Sequence, residues 1–304
     1  MNPDIARSAI VPAARGSHLL AQTRAAIGRA ALILGLTTVG FTFLVPMLWV
    51  LTTSLKAPNE VFAHPIQWVP SDPQWDNYAD VFSLITIGGR PGMMIFAANT
   101  LIIATLATLG TILSSSVVAY SLSRLRWKGR SIVFGLVLAT MMLPQVITLI
   151  PLFLIFRQVG WIDTLLPLIV PAWFGGGGFA IFVMRQSFRS LPFELDEAAR
   201  IDGAGSGRIL WQILLPLSGP AIAAIGILTF LHHYNDFMHP MIYLSSNDKF
   251  TLSLGLTWFQ GRFGDRWATM MAASALVTIP VVILFFLAQR QFIRGVQLSG
   301  LGGR

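Results

Sequence analysis

Residues Met94 to Leu122 read MIFAANTLIIATLATLGTILSSSVVAYSL, twenty-nine positions without one charged side chain. A bilayer core about 30 Å thick is crossed by roughly 20 mostly apolar residues of helix, so this stretch predicts a membrane span. Five runs of the same kind accompany it, approximately Ala30 to Leu51, Ile132 to Phe156, Leu165 to Met184, Leu217 to Leu244 and Ala268 to Ala288. The expected fold class is therefore all-α, a polytopic membrane bundle of six transmembrane helices. The first run follows a 29-residue polar, arginine-bearing tail with no convincing small-residue cleavage site, which predicts an uncleaved anchor rather than a secretory signal.

Composition agrees with the spans. Of 304 residues, 54% are hydrophobic and only 11% charged, with mean hydropathy +0.68; soluble domains carry roughly 25% charged residues. A soluble enzyme is excluded. The absence of cysteine excludes disulfides, thiolate metal sites and thiol redox chemistry. The net charge of +8 comes from 21 Lys and Arg against 13 Asp and Glu, and its placement sets the topology. With six spans, fifteen cations fall on the side of the two termini: Arg7, Arg15, Arg24 and Arg29, the loops around Arg124 to Arg130 and Arg185 to Arg208, and the C-terminal tail. Six fall opposite: Lys56, Arg90, Arg157, Lys249, Arg262 and Arg266. The positive-inside rule then predicts cytoplasmic termini, and nucleic acid is not needed to explain the basic balance.

The loop from Thr52 to Gly92 contains Pro58, Pro65, Pro70 and Pro73 and the aromatics Phe62, Trp68, Trp75, Tyr78 and Phe82, which predicts a compact external cap or a set of interfacial anchors. No GxxxxGK[ST] phosphate loop occurs, and Gly203-Ala204-Gly205-Ser206-Gly207 lacks the lysine and the preceding strand that one requires. The chain is not expected to hydrolyse ATP or to act as an enzyme by itself.

Between the fourth and fifth runs lies LPFELDEAARIDGAGSGRILWQILLPLSGP, Leu191 to Pro220. It reads as two helices broken by glycine. Pro192 suits a first helical position, Glu194, Asp196 and Glu197 complement the positive end of a helix dipole, and Gly203 supplies the stop. Ala198 and Ala199 leave part of the first helix without bulk, so another wall can approach closely. An amphipathic connector lying on lipid favours Lys and Arg with bulky apolar residues, whereas this helix is acidic and alanine-bearing. Docking into a partner's cleft is the better reading.

The stretch EAARIDGAGSGRILWQILLP also matches EAA, three residues, G, nine residues, I, one residue, LP, through Glu197, Ala198, Ala199, Gly203, Ile213, Leu215 and Pro216. It resembles the loop of permease subunits in binding-protein-dependent ABC importers. Asn99-Thr100, AYSLSRLRWKGR from Ala119 to Arg130, LPQVITLIPLF from Leu143 to Phe153 and YNDFMHP from Tyr234 to Pro240 resemble the sugar-importer branch, particularly its maltose-type second permease. The C-terminal GVQLSGLGG departs from it, lacking the lysine often found before the last glycine.

The resemblance implies a type I importer permease in a bacterial inner membrane. Residues 1–93 would form the cytoplasmic tail, first span and external loop, 94–290 a permease core with its coupling loop at 191–216, and 291–304 a cytoplasmic tail. Glu197, Ala198, Ala199, Asp202 and Gly203 would touch an ATPase pair that binds ATP and Mg, with no cofactor in this chain. A second permease, in a heterodimer, an extracytoplasmic solute-binding protein and a sugar substrate are the other implied partners.

The fifth run contains LHHYNDFMHPMIY, Leu231 to Tyr243. Helical spacing would place His232, Asn235, Asp236, His239 and Tyr243 on one face. A carboxylate near mid-bilayer costs about 2.5 to 3.5 kcal/mol, so the stripe should face protein or water, either as a translocation surface or as hydrogen-bonding contacts between spans. A further alternative uses His232, Asp236 and His239 as metal ligands or a proton relay in an ion-coupled transporter or channel, although no H-E-x-x-H pairing is present. Gly175 to Gly178 reads as close helix packing or a local break in preference to an ion filter, and Pro144, Pro151, Pro167 and Pro171 as kinks.

Overall fold

The computed structural model describes residues 13–262 and 264–300. Arg7 and Arg304 lie outside them. The N-terminal helix α1 (Ala13–Thr53) leads into α2 (Asp76–Ser83) and a two-stranded hairpin, β1 (Thr86–Ile87) and β2 (Arg90–Pro91). The charge-free stretch then forms α3 (Gly92–Ser123), which packs most extensively on the helices that follow it. Behind it come α4 (Arg130–Thr140), α5 (Gln145–Gln158), α6 (Leu166–Ile169) and α7 (Gly178–Ser190).

The loop that follows contains α8 (Glu194–Ile201), α9 (Ser206–Arg208), a π-helical turn at Ile209–Leu214 and α10 (Leu215–Leu217). The chain closes with α11 (Gly219–Tyr234), α12 (Met238–Tyr243), α13 (Leu252–Arg262) and α14 (Trp267–Gly300). The all-α membrane bundle expected from the sequence is the architecture observed.

The six apolar runs do not all appear as single long helices. Among the described residues four segments are long and apolar enough to cross a membrane, Ala26–Thr53, Gly92–Ser123, Leu166–Ser190 and Trp267–Leu287, and a fifth is obtained if Ser206–Leu217 and Gly219–Tyr234, bent by 80°, form one span. The third apolar run divides into α4 and α5. Pro144 is the cause: it precedes α5 in extended conformation, and proline disfavours helical geometry in the residue before it.

A second break falls inside Leu166–Ser190, where Gly175, Gly176 and Gly177 take φ of 104°, 63° and 84°. Only glycine adopts such a run without strain. A Cβ at Gly176 would lie 2.6 Å from the Thr111 carbonyl oxygen, and Ser114 Oγ donates to the Ala172 carbonyl at 2.9 Å. Close packing against α3 and a local break thus coincide at the glycine run.

The 52–92 segment packs at Lys56, Tyr78 and Val81, while Phe62, Trp68 and Trp75 stay exposed. Ser54 and Tyr78 share a 2.8 Å hydroxyl contact, and Asn77 Nδ2 donates to the carbonyls of Ser54 and Lys56. Lys56 is fully buried with Nζ 4.1 Å from the centre of the Trp49 ring, and desolvation lowers its affinity for a proton, partly offset by Glu60. Val81 packs on Ala272 and Ala273 of α14.

On the same side, Asp163 joins the α5–α6 turn to the segment after α12. Its carboxylate accepts from the backbone N–H groups of Ser245 and Ser246, both at 2.9 Å, from the Ser246 hydroxyl and from Lys249 Nζ at 3.0 Å. The Ser246 hydroxyl above all holds the carboxyl well below the ordinary Asp range. A depressed carboxyl contributes its stability above the unfolded-state pKa and loses it as pH falls through the folded value, so this clamp weakens only in acid. Asp163→Ala should lower stability by about 1.5 to 3 kcal/mol, the range for hydrogen bonds to charged groups, with Asp163→Asn retaining part of it. Thermal unfolding of the purified protein in detergent, followed at neutral and acidic pH, measures both.

Candidate coupling surface

The acidic first turn and the glycine stop produce α8 as the sequence predicts, although Pro192 lies two residues ahead of the helix rather than in its first turn. Gly203 has φ +79°. Ala204 N–H donates to Ala199 O at 2.8 Å and Gly203 N–H to Arg200 O at 3.0 Å, the paired bonds of a Schellman stop. Ala204 packs against the cluster that buries Ala199, giving the apolar contact that accompanies this motif.

Glu197, Ala198, Asp202 and Gly203 are exposed. Ala199 is not. It is 7% exposed and sits among Met184, Phe188, Ile209, Leu210 and Leu214, which corrects its assignment to a partner contact. Its small side chain lets α8 approach the molecule's own core. In its place the structure offers Ile201, 86% exposed beside Ala198 and Asp202, an apolar spot within an acidic surface. Its position in helical register with Ala198 was the available signal.

A second residue escaped the sequence reading. Asp196 was counted among the dipole-complementing acids, but its carboxylate is fully buried and lies 2.7 Å from the guanidinium of Arg124, just beyond the end of α3. Arg124 Nη2 donates to the carbonyls of Phe188 and Leu191, the latter at 2.9 Å, and the guanidinium lies 5.5 Å from the Phe193 ring centre. One side chain therefore ties together the ends of α3 and α7 and the start of α8. Burial raises the affinity of the Asp196 carboxyl for a proton, and Arg124 opposes the shift.

The polar residues of the fifth apolar run do not form one helical face. The helix stops at Tyr234 and restarts at Met238. Asp236 falls in the break and accepts from His239 N–H at 3.3 Å, and its carboxylate lies 2.9 Å from His239 Nδ1, so it serves the first turn of α12. His232 and Asn235 are exposed on the other side of the break, with Asn235 Nδ2 donating to Leu231 O at 2.9 Å. Tyr243 is 2% exposed and packs edge-on against Phe156, so it is a core residue rather than part of an open surface. The five residues are thus separated into an exposed pair, the Asp236–His239 pair and a buried ring. Among the described residues no group of three His, Cys, Asp or Glu side chains is arranged to hold a metal ion.

Residues 110–298 match the family described as binding-protein-dependent transport system inner membrane component. This chain belongs to that family. It is an integral inner-membrane transport permease. It is 34% identical over 276 residues to the arabinooligosaccharides transport system permease protein of Halalkalibacterium halodurans, covering 88% of this chain and 96% of that one. It is 33% identical over 276 residues to the trehalose/maltose transport system permease protein of Thermococcus litoralis, covering 90% and 97%. Among solved structures it is similar to a chain of a bacterial ABC transporter involved in the import of the acidic polysaccharide alginate, with TM-score 0.73, 25% identity and coverage of 86% and 96%.

Losing one member of a buried ion pair strands the other charge and costs about 3 to 5 kcal/mol, whereas replacing both by apolar residues of similar volume is far less damaging. Arg124→Met alone or Asp196→Leu alone should therefore destabilise the permease by that amount, and the double variant should recover most of the loss. Unfolding midpoints of the three variants in detergent test this expectation.

Proposed function

We propose that the permease forms one half of the translocation pathway of an ATP-driven importer for a sugar or related carbohydrate, and that the 191–216 loop couples it to a separate ATPase. The observation that carries this reading is an exposed acidic helix fixed to the end of a long span through the buried Arg124–Asp196 pair. A surface meant only for solvent has no use for such anchoring. The carbohydrate transport systems to which the relatives belong support the carbohydrate class, and membership of the binding-protein-dependent family supports a solute-binding partner.

In this mechanism a pair of cytoplasmic ATPase subunits binds ATP and Mg, and no cofactor is held by this chain. Closure of that pair moves a groove that receives Glu197, Ala198, Ile201, Asp202 and Gly203. The buried pair passes the displacement to α3 and α7, and the spans exchange inward and outward access as rigid bodies. Binding energy in one state of the ATPase thereby biases the state of the permease. A second permease completes the pathway, and an extracytoplasmic binding protein delivers the solute. The cation asymmetry supports cytoplasmic termini, with the 191–216 loop on the same side. His232, Asn235 and the Asp236–His239 pair are the polar groups of this chain best suited to a watery path, because an intramembrane break is tolerated where it lines a cavity.

Proline fixes φ near −65° and lacks an N–H, so Gly203→Pro removes both the left-handed turn and the bond to Arg200. It should cut oligosaccharide uptake and substrate-stimulated ATPase activity by about tenfold or more, the equivalent of 1.4 kcal/mol, while the amount of membrane-inserted protein stays near wild type. A cysteine at Ala198 should cross-link to the nucleotide-hydrolysing subunit in intact cells. Wild-type uptake by the proline variant, or no such cross-link, rejects the coupling.

A further inference from the structure

Three arginines lie close in the fold where α3 and α7 end and α4 begins. Arg130 opens α4, Arg185 lies in the last turns of α7, and Arg189 follows one turn later. The Arg185 guanidinium is stacked 3.8 Å from the centre of the Phe134 ring, and its Nε donates to Leu122 O at 3.2 Å at the end of α3. Arg130 Nη1 donates to Leu125 O at 2.9 Å. Phe134 stands one turn along α4 from Arg130, so its stacking on Arg185 brings the start of α4 beside the end of α7, and no ion pair among the described residues involves any of the three. Like charges gathered without a carboxylate repel one another, so the cluster is completed by an anion.

Its surroundings say which kind. The cluster sits where α3 and α7 terminate and α4 begins, hence at the level of the membrane boundary. Immediately beyond Arg130, α4 buries no residue of its own, and Ile132 and Leu136 are 71% and 62% exposed. Trp127, 40% exposed, occupies the boundary in the manner of interfacial tryptophans. A planar, weakly hydrated guanidinium held flat on an aromatic ring matches a phosphate bidentately. A ligand that fits both halves has an anionic phosphate head and an apolar tail. A protein ligand would favour the acidic, exposed end of α8 on the other side of Arg124, which has the opposite charge.

We infer that Arg130, Arg185 and Arg189 form a binding site for the phosphate of an anionic phospholipid whose acyl chain lies along the Ile132–Leu136 face of α4. The site is separate from the coupling surface, and it stands whether or not the loop at 191–216 meets an ATPase.

The test uses the full-length permease purified from membranes in mild detergent, together with the subunits it carries, and titrated with phosphatidylglycerol, phosphatidylcholine or inorganic phosphate while bound lipids are counted by native mass spectrometry. Phosphatidylglycerol should be retained in preference to phosphatidylcholine. Each of Arg130→Gln and Arg189→Gln should weaken it about fivefold, as expected for about 1 kcal/mol per basic residue near an anionic surface, and Arg157→Gln, at the far end of α5, should leave it unchanged. Because Arg185 also supports the packing of α4 on α7, Arg185→Lys serves as its test: the charge stays, the flat fork is lost, and binding should fall with the unfolding midpoint preserved.

Equal retention of the two lipids, or unchanged binding in the Arg130 and Arg189 variants, overturns the inference. So does displacement of the lipid by micromolar inorganic phosphate, which would assign the site to the free anion, or occupation of the three arginines by carboxylates of a neighbouring permease.

Discussion

The buried contact between Arg124 and Asp196 is the constraint around which this permease is arranged where α3, α7 and α8 meet. Two ions removed from water cost several kcal/mol each unless they face one another with their remaining groups satisfied. Arg124 meets part of that demand: Nη2 reaches the carbonyls at the end of α7 and Nη1 faces the carboxylate of α8, while Nε is left without a hydrogen-bond partner. Neither oxygen of Asp196 has an aligned hydrogen-bond donor, so its stability within the protein rests on the charge of Arg124. The ends of α3 and α7 and the start of α8 are thereby tied at one point, in addition to their apolar packing.

That rigidity gives the exposed part of α8 its meaning. The Schellman stop at Gly203 fixes where the helix ends, and Ala199 seats it on Met184 and Phe188. What remains outward is acidic with one bare apolar side chain. Under the proposed coupling, charge would select and orient a partner, while Ile201 would offer buried area once water is excluded. The Asp163 clamp plays a comparable part on the opposite side, where it ties two turns that follow separate apolar helices.

Much of this was legible in the sequence because hydrophobic run length and glycine placement are local signals. The 29 uncharged residues of Met94 to Leu122 became the central helix, and Gly203 became the stop. Ala199 does permit a close approach, but the approaching wall belongs to the chain itself. Asp196 was misjudged because its partner is 72 positions away, and helical spacing carries no information about such a pairing. The polar stripe failed for a different reason. Equal spacing on a helix assumes an unbroken helix, and Asp236 bonds to the N–H of His239, so the residue that made the stripe interesting also helps to divide it. The third apolar run was divided by Pro144, whose effect as a kink was foreseen and whose effect as a terminator was not.

The 80° elbow between the helical segment ending at Leu217 and α11 has a mechanical corollary. Two arms at nearly a right angle act as a bell crank: sliding one arm along its own axis carries the joint sideways relative to the other. A thrust delivered parallel to the bilayer at the first arm therefore emerges as a shear or tilt of the second. Under the proposed coupling, such a thrust would change the separation of the spans without motion of any helix along the membrane normal.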